Sequence, residues 1–249
     1  VLQSLVPLVS HKARPQWMQF IEGLRRDHPS LAVPPSDKLQ TQHVLSNLNE
    51  MLQEDDGALV VTGVGQHQMW AAQHLSFNHS DTFVSSGGLG AMGFELPAAL
   101  GAQIGKPGAP VWSVAGDGGF QMTQAELATA AIHKLPVKCL IINNNYLGMV
   151  GQGQEFFFEN RRSGVDLEGN PDFAKLAQAY GVKAFRIKRP ADVDRILREA
   201  HDYDEGPWVV VADVVQEDNV FPMIPAGAPV SGMILEKPKE KMEKPVGST

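Results

Sequence analysis

Residues 111–145 read V-W-S-V-A-G-D-G-G-F-Q-M-T-Q-A-E-L-A-T-A-A-I-H-K-L-P-V-K-C-L-I-I-N-N-N. Val111–Ala115 and Val137–Ile142 are short apolar runs that predict strands, and Thr123–His133 between them predicts a helix. A strand–helix–strand unit of this length sets its strands parallel and brings both carboxyl ends to one sheet edge. Asp117 follows the first strand, between glycines. Asn144 closes the second strand, twenty-seven residues later. Working outward, Ala58–Thr62, Thr82–Val84, Val182–Ile187 and Trp208–Val214 predict further strands. Asp37–Gln53, Gln66–His74, Ala91–Ile104, Pro171–Tyr180 and Ala191–Tyr203 predict helices. Near-continuous apolar strands alternating with helices predict an α/β fold, a doubly wound parallel sheet flanked by helices on both faces. Ligands of such sheets bind beyond the carboxyl ends of the strands.

Composition narrows the function classes. The 249 residues carry 21 basic and 28 acidic side chains, net −7. That balance argues against sequence-independent binding to nucleic acid or to an anionic membrane. No uncharged run approaches the roughly 18 apolar residues of a membrane span. No signal peptide is evident, so a cytoplasmic protein is expected. The single cysteine, Cys139, excludes an intrachain disulfide framework and, inside an apolar strand, reads as a small core hydrophobe. Five of the 17 prolines fall in residues 1–36 and five in 222–249. Proline breaks regular elements. The expected organisation is therefore a compact domain over 37–219, an irregular linker or domain tail over 1–36, and a carboxy-terminal tail over 220–249.

Thirteen of the 24 glycines lie between Gly57 and Gly119, in T-G-V-G-Q-H-Q (62–68), S-S-G-G-L-G-A-M-G (85–93) and G-D-G-G-F (116–120). Each cluster follows a strand candidate. Backbone N–H groups at such turns and at helix N-termini form anion nests, so three side by side suggest a phosphate or diphosphate site. Asp117 and the Asn144 amide are hard oxygen donors of the kind Mg²⁺ takes together with phosphate oxygens and water. Taken singly, each glycine turn reads as an ordinary tight connection. Asp117 equally reads as a helix cap, and Asn143–Asn145 as a turn. The ordered G-x-G-x-x-G with an acidic residue about 20 positions later is missing, which disfavours a dinucleotide site.

The pairing G-D-G, helix, strand, N-N resembles the thiamine diphosphate motif of thiamine-dependent enzymes. G-Q-H-Q-M-W-A-A-Q (65–73), S-G-G-L-G-A-M-G-F-E-L-P-A-A (86–99) and V-F-P-M-I-P-A-G-A (220–228) resemble the carboxy-terminal region of acetohydroxyacid (acetolactate) synthase catalytic subunits, over about Thr41–Ala228. The resemblance implies a thiamine-diphosphate-binding fold in which Asp117, Asn144 and the backbone carbonyl of Tyr146 ligate Mg²⁺. It implies that Gly65, Gln66, His67, Gly118, Gly119, Leu147, Gly148 and Met149 contact the diphosphate or line its pocket. Gly90 and Met92 would lie beside the aminopyrimidine, with Met92 as the apolar wedge that bends the cofactor, and Val150 and Gly153 would belong to the substrate pocket. His67 also reads simply as a hydrogen-bonded structural histidine.

Further implications concern the whole enzyme. It would decarboxylate pyruvate and join the product to pyruvate or 2-ketobutyrate, in branched-chain amino acid biosynthesis. The family's cofactor-activating Glu lies in a pyrimidine-binding domain and FAD in a middle domain, and nothing here matches either. No catalytic residue is therefore expected in this chain, and alone it should bind the cofactor weakly or not at all and turn over negligibly. The pyrimidine-binding domain of another subunit is the expected partner, with homo-oligomers likewise. Gly153 stands where the family commonly has Trp, which predicts poor preference for 2-ketobutyrate over pyruvate. The remaining readings are the diphosphate-binding chain of a split thiamine-dependent 2-ketoacid decarboxylase, and a non-catalytic nucleotide-binding module.

Overall fold

The computed structural model describes residues 2–27, 33, 35–55, 57–216 and 218–237. The chain forms two units, residues 1–34 and 35–249. In the first, α1 (Leu2–Leu5) and a 3₁₀ turn (Val6–Leu8) precede α2 (Pro15–Asp27). The irregular arm expected over 1–36 therefore contains a 13-residue helix. Proline density misleads here because Pro15 occupies the first position of α2, where the missing N–H would have no intrahelical partner anyway. Trp17, Met18, Phe20 and Leu24 of α2 are exposed.

The second unit carries α3 (Thr41–Leu52), β1 (Leu59–Thr62), α4 (Gln66–His74), β2 (Phe83–Ser85), α5 (Glu95–Gly105), β3 (Val111–Gly116), α6 (Asp117–Thr123), α7 (Leu127–Ile132), β4 (Val137–Asn143), α8 (Gly148–Phe157), α9 (Phe173–Ala179), β5 (Lys183–Ile187), α10 (Val193–His201) and β6 (Trp208–Asp213). The strands form one parallel sheet in the order β2-β1-β3-β4-β6-β5. Alternate residues of each strand feed two separate cores, as the period of two requires. Val60, Trp112, Val114, Leu140 and Val210 meet α3, α4 and α10 on one face. Val61, Ala115, Cys139, Ile141 and Val211 meet α5 and α9 on the other. The central strands β1, β3, β4 and β6 are buried nearly throughout, and this accounts for their uninterrupted apolar runs.

Two helix starts and one unexpected helix depart from the pattern reading at glycine. The helix expected from Ala91 begins at Glu95, because Gly93 has φ +81° and the chain must first turn through it. The helix expected at Thr123–His133 begins earlier, at Asp117, and runs through a 3₁₀ turn at Gln124–Glu126 into α7. Its opening Gly118–Gly119 pair lowers helix propensity by about 1 kcal/mol per residue and hides the start. No helix is expected over 148–157, yet α8 occupies it, with Gly148, Gly151 and Gly153 inside. Those glycines mask the helical period, and two have tertiary reasons. The Tyr146 ring lies where a Gly151 side chain would be, and Gln66 Oε1 where a Gly148 side chain would be.

The expected boundary at residue 219 also moves. Val220 is fully buried in the core beside α3 and α4. Gln152, itself buried on α8, holds it there: Gln152 Nε2 donates to the Val220 carbonyl at 3.0 Å, and Gln152 Oε1 accepts from the Val220 N–H at 2.9 Å. The same oxygen accepts from Gln66 Nε2 at 2.9 Å. One amide thus ties the segment after β6 to the start of α4. Gln152→Leu keeps the volume but leaves the buried Val220 N–H and C=O unpaired. We expect a loss of about 2–4 kcal/mol in urea unfolding at unchanged m value.

Candidate cofactor and metal site

The chain leaves β1 toward β2 on one side of the sheet and leaves β3 toward β4 on the other. The carboxyl ends of β1 and β3 therefore border a topological switch point, the usual ligand crevice of an open α/β sheet. The first residues of α4, α6 and α8 converge there on one cleft of about 140 Å³. Asp117, Asn144, Tyr146, Gly65, Gln66, His67, Met92, Gly118, Gly119, Leu147, Gly148, Met149 and Val150 all line it. Gly90 and Gly153 do not. Gly90 sits in the exposed loop between β2 and α5, and an added Cβ at Gly153 would meet nothing within 4 Å.

Asp117 is the first residue of α6 and is 2% exposed. Its Oδ1 accepts the Gly118 N–H at 2.8 Å and its Oδ2 accepts Asn170 Nδ2 at 3.1 Å. Burial pushes its carboxyl up to about 6, against the opposing pull of backbone N–H groups at Gly118, Asn145 and Tyr146. The last two belong to the loop after β4, so the Asp117 carboxylate and the Asn144 loop are in contact. The parallel register produces this, with Gly116 opposite Ile142. Asn145 takes φ +52°, and Asn144 Oδ1 accepts the Tyr146 N–H at 3.1 Å. The cap reading of Asp117 is not realised, since Gly116 holds the cap position and Asp117 is the first helical residue; of Asn143–Asn145, Asn143 ends β4 and the turn falls on Asn144 and Asn145. Asp117 and this turn together build the acidic end of the cleft.

The cradle around it is made of glycine because neighbours fill the space. A Cβ on Gly116 would stand 2.9 Å from His67 Nδ1, and one on Gly118 2.7 Å from Leu147 Cδ2. His67 is buried, which lowers its pKa to about 4, so the ring is neutral at physiological pH. Its Nε2 has no hydrogen-bond partner among the described residues. Gln66 uses both amide hydrogens elsewhere, on Gln152 and on the Asp218 carbonyl at 2.9 Å. Its side chain therefore has no donor left for a diphosphate, and its contribution to the cleft wall is the helix-start backbone. Cys139 is buried, and burial pushes its thiol up to about 12, as fits a core residue.

Residues not singled out from sequence are Gln152, Asn170 and Glu95. Glu95 is fully buried at the start of α5, with its carboxylate where side chains on Gly63 and Gly119 would otherwise lie. Neither oxygen has a fully formed hydrogen bond among the described residues. Burial pushes it up to about 7, opposed in part by the N–H groups of Glu95 and Gly93. The glycines at 63 and 119 are the only sequence trace of this packing.

Residues 63–212 match the family model described as "Thiamine pyrophosphate enzyme, C-terminal TPP binding domain". The chain belongs to this family. As such a TPP-binding domain it is 41% identical over 239 residues to an acetolactate synthase of Mycobacterium leprae, covering 92% of this chain and 38% of the relative. It is 39% identical over 237 residues to the mitochondrial acetolactate synthase catalytic subunit of Saccharomyces cerevisiae, covering 94% of this chain and 34% of that one. It is 38% identical over 234 residues to the acetolactate synthase isozyme 2 large subunit of Escherichia coli, with 94% and 42% covered. The chain thus spans well under half the length of these relatives. The family match favours neither the split decarboxylase nor the nucleotide-module reading.

The TPP-binding domain fits its cofactor on its own residues. Glycine contacts at 116 and 118 leave a surface that no side chain could cover. His67 Nε2 is a buried polar atom left unpartnered at the same wall. Among the described residues there is no group of three or more His, Cys, Asp or Glu placed to hold a metal. The oxygen set at Asp117 and Asn144 therefore suits a hard cation completed by phosphate oxygens, not a self-sufficient protein cage. No helix among the described residues is long and apolar enough to cross a membrane.

Glu95 makes stability depend on pH. Burial favours its neutral form, so the folded state holds the proton more tightly than the unfolded one. This stability is fully present below about pH 4.5 and is lost as pH rises through about 7. Glu95→Gln should raise stability at pH 8 by about 1–3 kcal/mol and flatten the difference at pH 5. Parallel urea midpoints for parent and variant from pH 5 to 8 would contradict this.

Proposed function

We propose that this chain is the diphosphate- and Mg²⁺-binding domain of an acetolactate synthase, and that it needs a pyrimidine-binding domain from another subunit to act. The observation that carries the reading is the buried Asp117 carboxylate against the Asn144–Tyr146 loop, at the mouth of a glycine-walled cleft on the sheet's switch point. In the whole enzyme the reaction is decarboxylation of pyruvate and ligation of the two-carbon unit to a second 2-ketoacid, pyruvate or 2-ketobutyrate. Bound thiamine diphosphate supplies the electron sink for breaking the carbon–carboxylate bond. The roles of this chain are holding and shaping. Asp117, the Asn144 amide oxygen and the Tyr146 carbonyl would hold Mg²⁺. The N–H groups opening α4 and α6 would hold the diphosphate oxygens. His67, being neutral, offers a ring N–H without charge. Met92, Leu147, Met149 and Val150 would give the bound cofactor an apolar wall that excludes water. FAD, homo-oligomeric assembly and a cytoplasmic location belong to the same proposal and rest on the sequence resemblance.

³¹P NMR of thiamine diphosphate at millimolar concentration tests the binding step. We expect Mg²⁺-dependent shifts of both phosphorus resonances with the parent chain, none with Asp117→Ala, and no comparable effect on NAD. Binding without Mg²⁺, or NAD binding in its place, would overturn the reading. A second expectation concerns the acceptor. Space around Gly153 is open, so Gly153→Trp should fold without a clash. In the assembled enzyme the added surface should favour 2-ketobutyrate over pyruvate by roughly tenfold, within the ~1–3 kcal/mol that a methylene can supply. Competition between the two acceptors measures it, and an unchanged ratio removes Gly153 from the substrate pocket.

A further inference from the structure

The segment between α8 and α9 carries no residue of the cofactor motif, yet it lines the metal loop. Leu147 N–H donates to the Val165 carbonyl at 2.8 Å, and Leu167 N–H to the Asn145 carbonyl at 2.9 Å. Tyr146 and Asp166 form an antiparallel bridge between them. The segment thus runs alongside Asn145–Leu147 as a short second strand and ends at Asn170. There the Asn170 amide turns onto Asp117: Nδ2 donates to Oδ2 at 3.1 Å. Its other end is fixed as well, because Asn170 Oδ1 accepts Gln121 Nε2 at 2.6 Å. Gln121 lies four residues after Asp117, on the same face of α6, so a single amide bridges two successive turns of that helix.

This arrangement determines which way the Asn170 amide faces. The ionised Asp117 carboxylate can only accept, so Asn170 turns its N–H₂ to it and its oxygen to Gln121, whose N–H₂ holds it there. With the Gly118 N–H on Oδ1 and Asn170 on Oδ2, both carboxylate oxygens are held by donors. Outer-sphere donors of this kind fix ligand orientation at metal sites.

We propose that Asn170 is a positioning residue for the Mg²⁺ ligand Asp117, and that Gln121 sets the orientation in which Asn170 acts. The proposal rests on the metal role of Asp117 stated above. Neither residue lines the cleft. Their effect is to keep the carboxylate rotamer ready for the cation, so that metal binding need not first order it.

The test measures Mn²⁺, standing in for Mg²⁺, retained by the 249-residue chain in equilibrium dialysis against fixed thiamine diphosphate. Asn170→Ala should weaken Mn²⁺ retention by about 10–100-fold, the usual cost of removing an outer-sphere partner. Gln121→Ala, which leaves Asp117 untouched and keeps Asn170, should weaken it in the same direction by a smaller factor. Urea midpoints without metal are recorded alongside. If both variants bind Mn²⁺ within twofold of the parent, whatever their stability, Asn170 only tethers its loop and the proposal fails. Should Asn170→Ala not fold, Gln121→Ala alone decides. A parent chain that retains no Mn²⁺, or retains it equally with Asp117→Ala, overturns the metal reading itself and not merely the positioning role.

Discussion

Parallel pairing of β3 with β4 places Gly116 opposite Ile142 and so delivers Asp117 and Asn144 to the same edge of the sheet. Everything at the cleft depends on that register. A slip of one residue would turn Cys139, Ile141 and their partners to the wrong face, and two fully buried cores oppose it. The core therefore acts on the site directly: apolar strands buried on both faces hold two polar loops within hydrogen-bond reach of each other. The strand order adds the second requirement, since β1 lies next to β3 while the chain departs from them in opposite directions. That divergence opens the crevice which the starts of α4, α6 and α8 then line.

Around this frame the residues trade volume closely. His67 fills the space denied to side chains at Gly116 and Gly65, Glu95 that at Gly63 and Gly119, Leu147 that at Gly118, and Tyr146 that at Gly151. The glycines are thus the complements of specific large neighbours as well as turn formers. This packing has an electrostatic cost. Glu95 and Asp117 are carboxyl groups whose burial favours the protonated form, and His67 is a ring whose burial favours the neutral one. Proteins accept such costs chiefly at functional sites, where polar groups must meet a ligand in a dry place.

The division between legible and illegible features follows from the range of the forces involved. Alternating apolar runs, the three glycine turns and the Asp117–Asn144 spacing are local signals, and they sufficed for the parallel α/β class and for most of the cleft wall. Helix α8 was not legible because its glycines depress local propensity; Gln66 and Tyr146 pack against Gly148 and Gly151, and its own Gln152 ties it to Gln66 and Val220. The same holds for Val220, which lies in a proline-rich stretch and is held in the core because Gln152 pairs both of its backbone groups. In α2 the local signal points the other way: Pro15 suggests an irregular arm but sits where a helix tolerates it.

By itself, the amino-acid sequence determined the fold class, the family resemblance and the identity of the charged and glycine residues at the strand ends, since all of these are written in short spacings. Only the tertiary structure decided that Gln66 spends its amide hydrogens on Gln152 and Asp218, that Glu95 lies buried between two glycines, and that Asn170 reaches Asp117 from fifty-three residues away. Those contacts join segments far apart in the chain. They form only when the sheet has brought its carboxyl ends together, and no local pattern of residues encodes them.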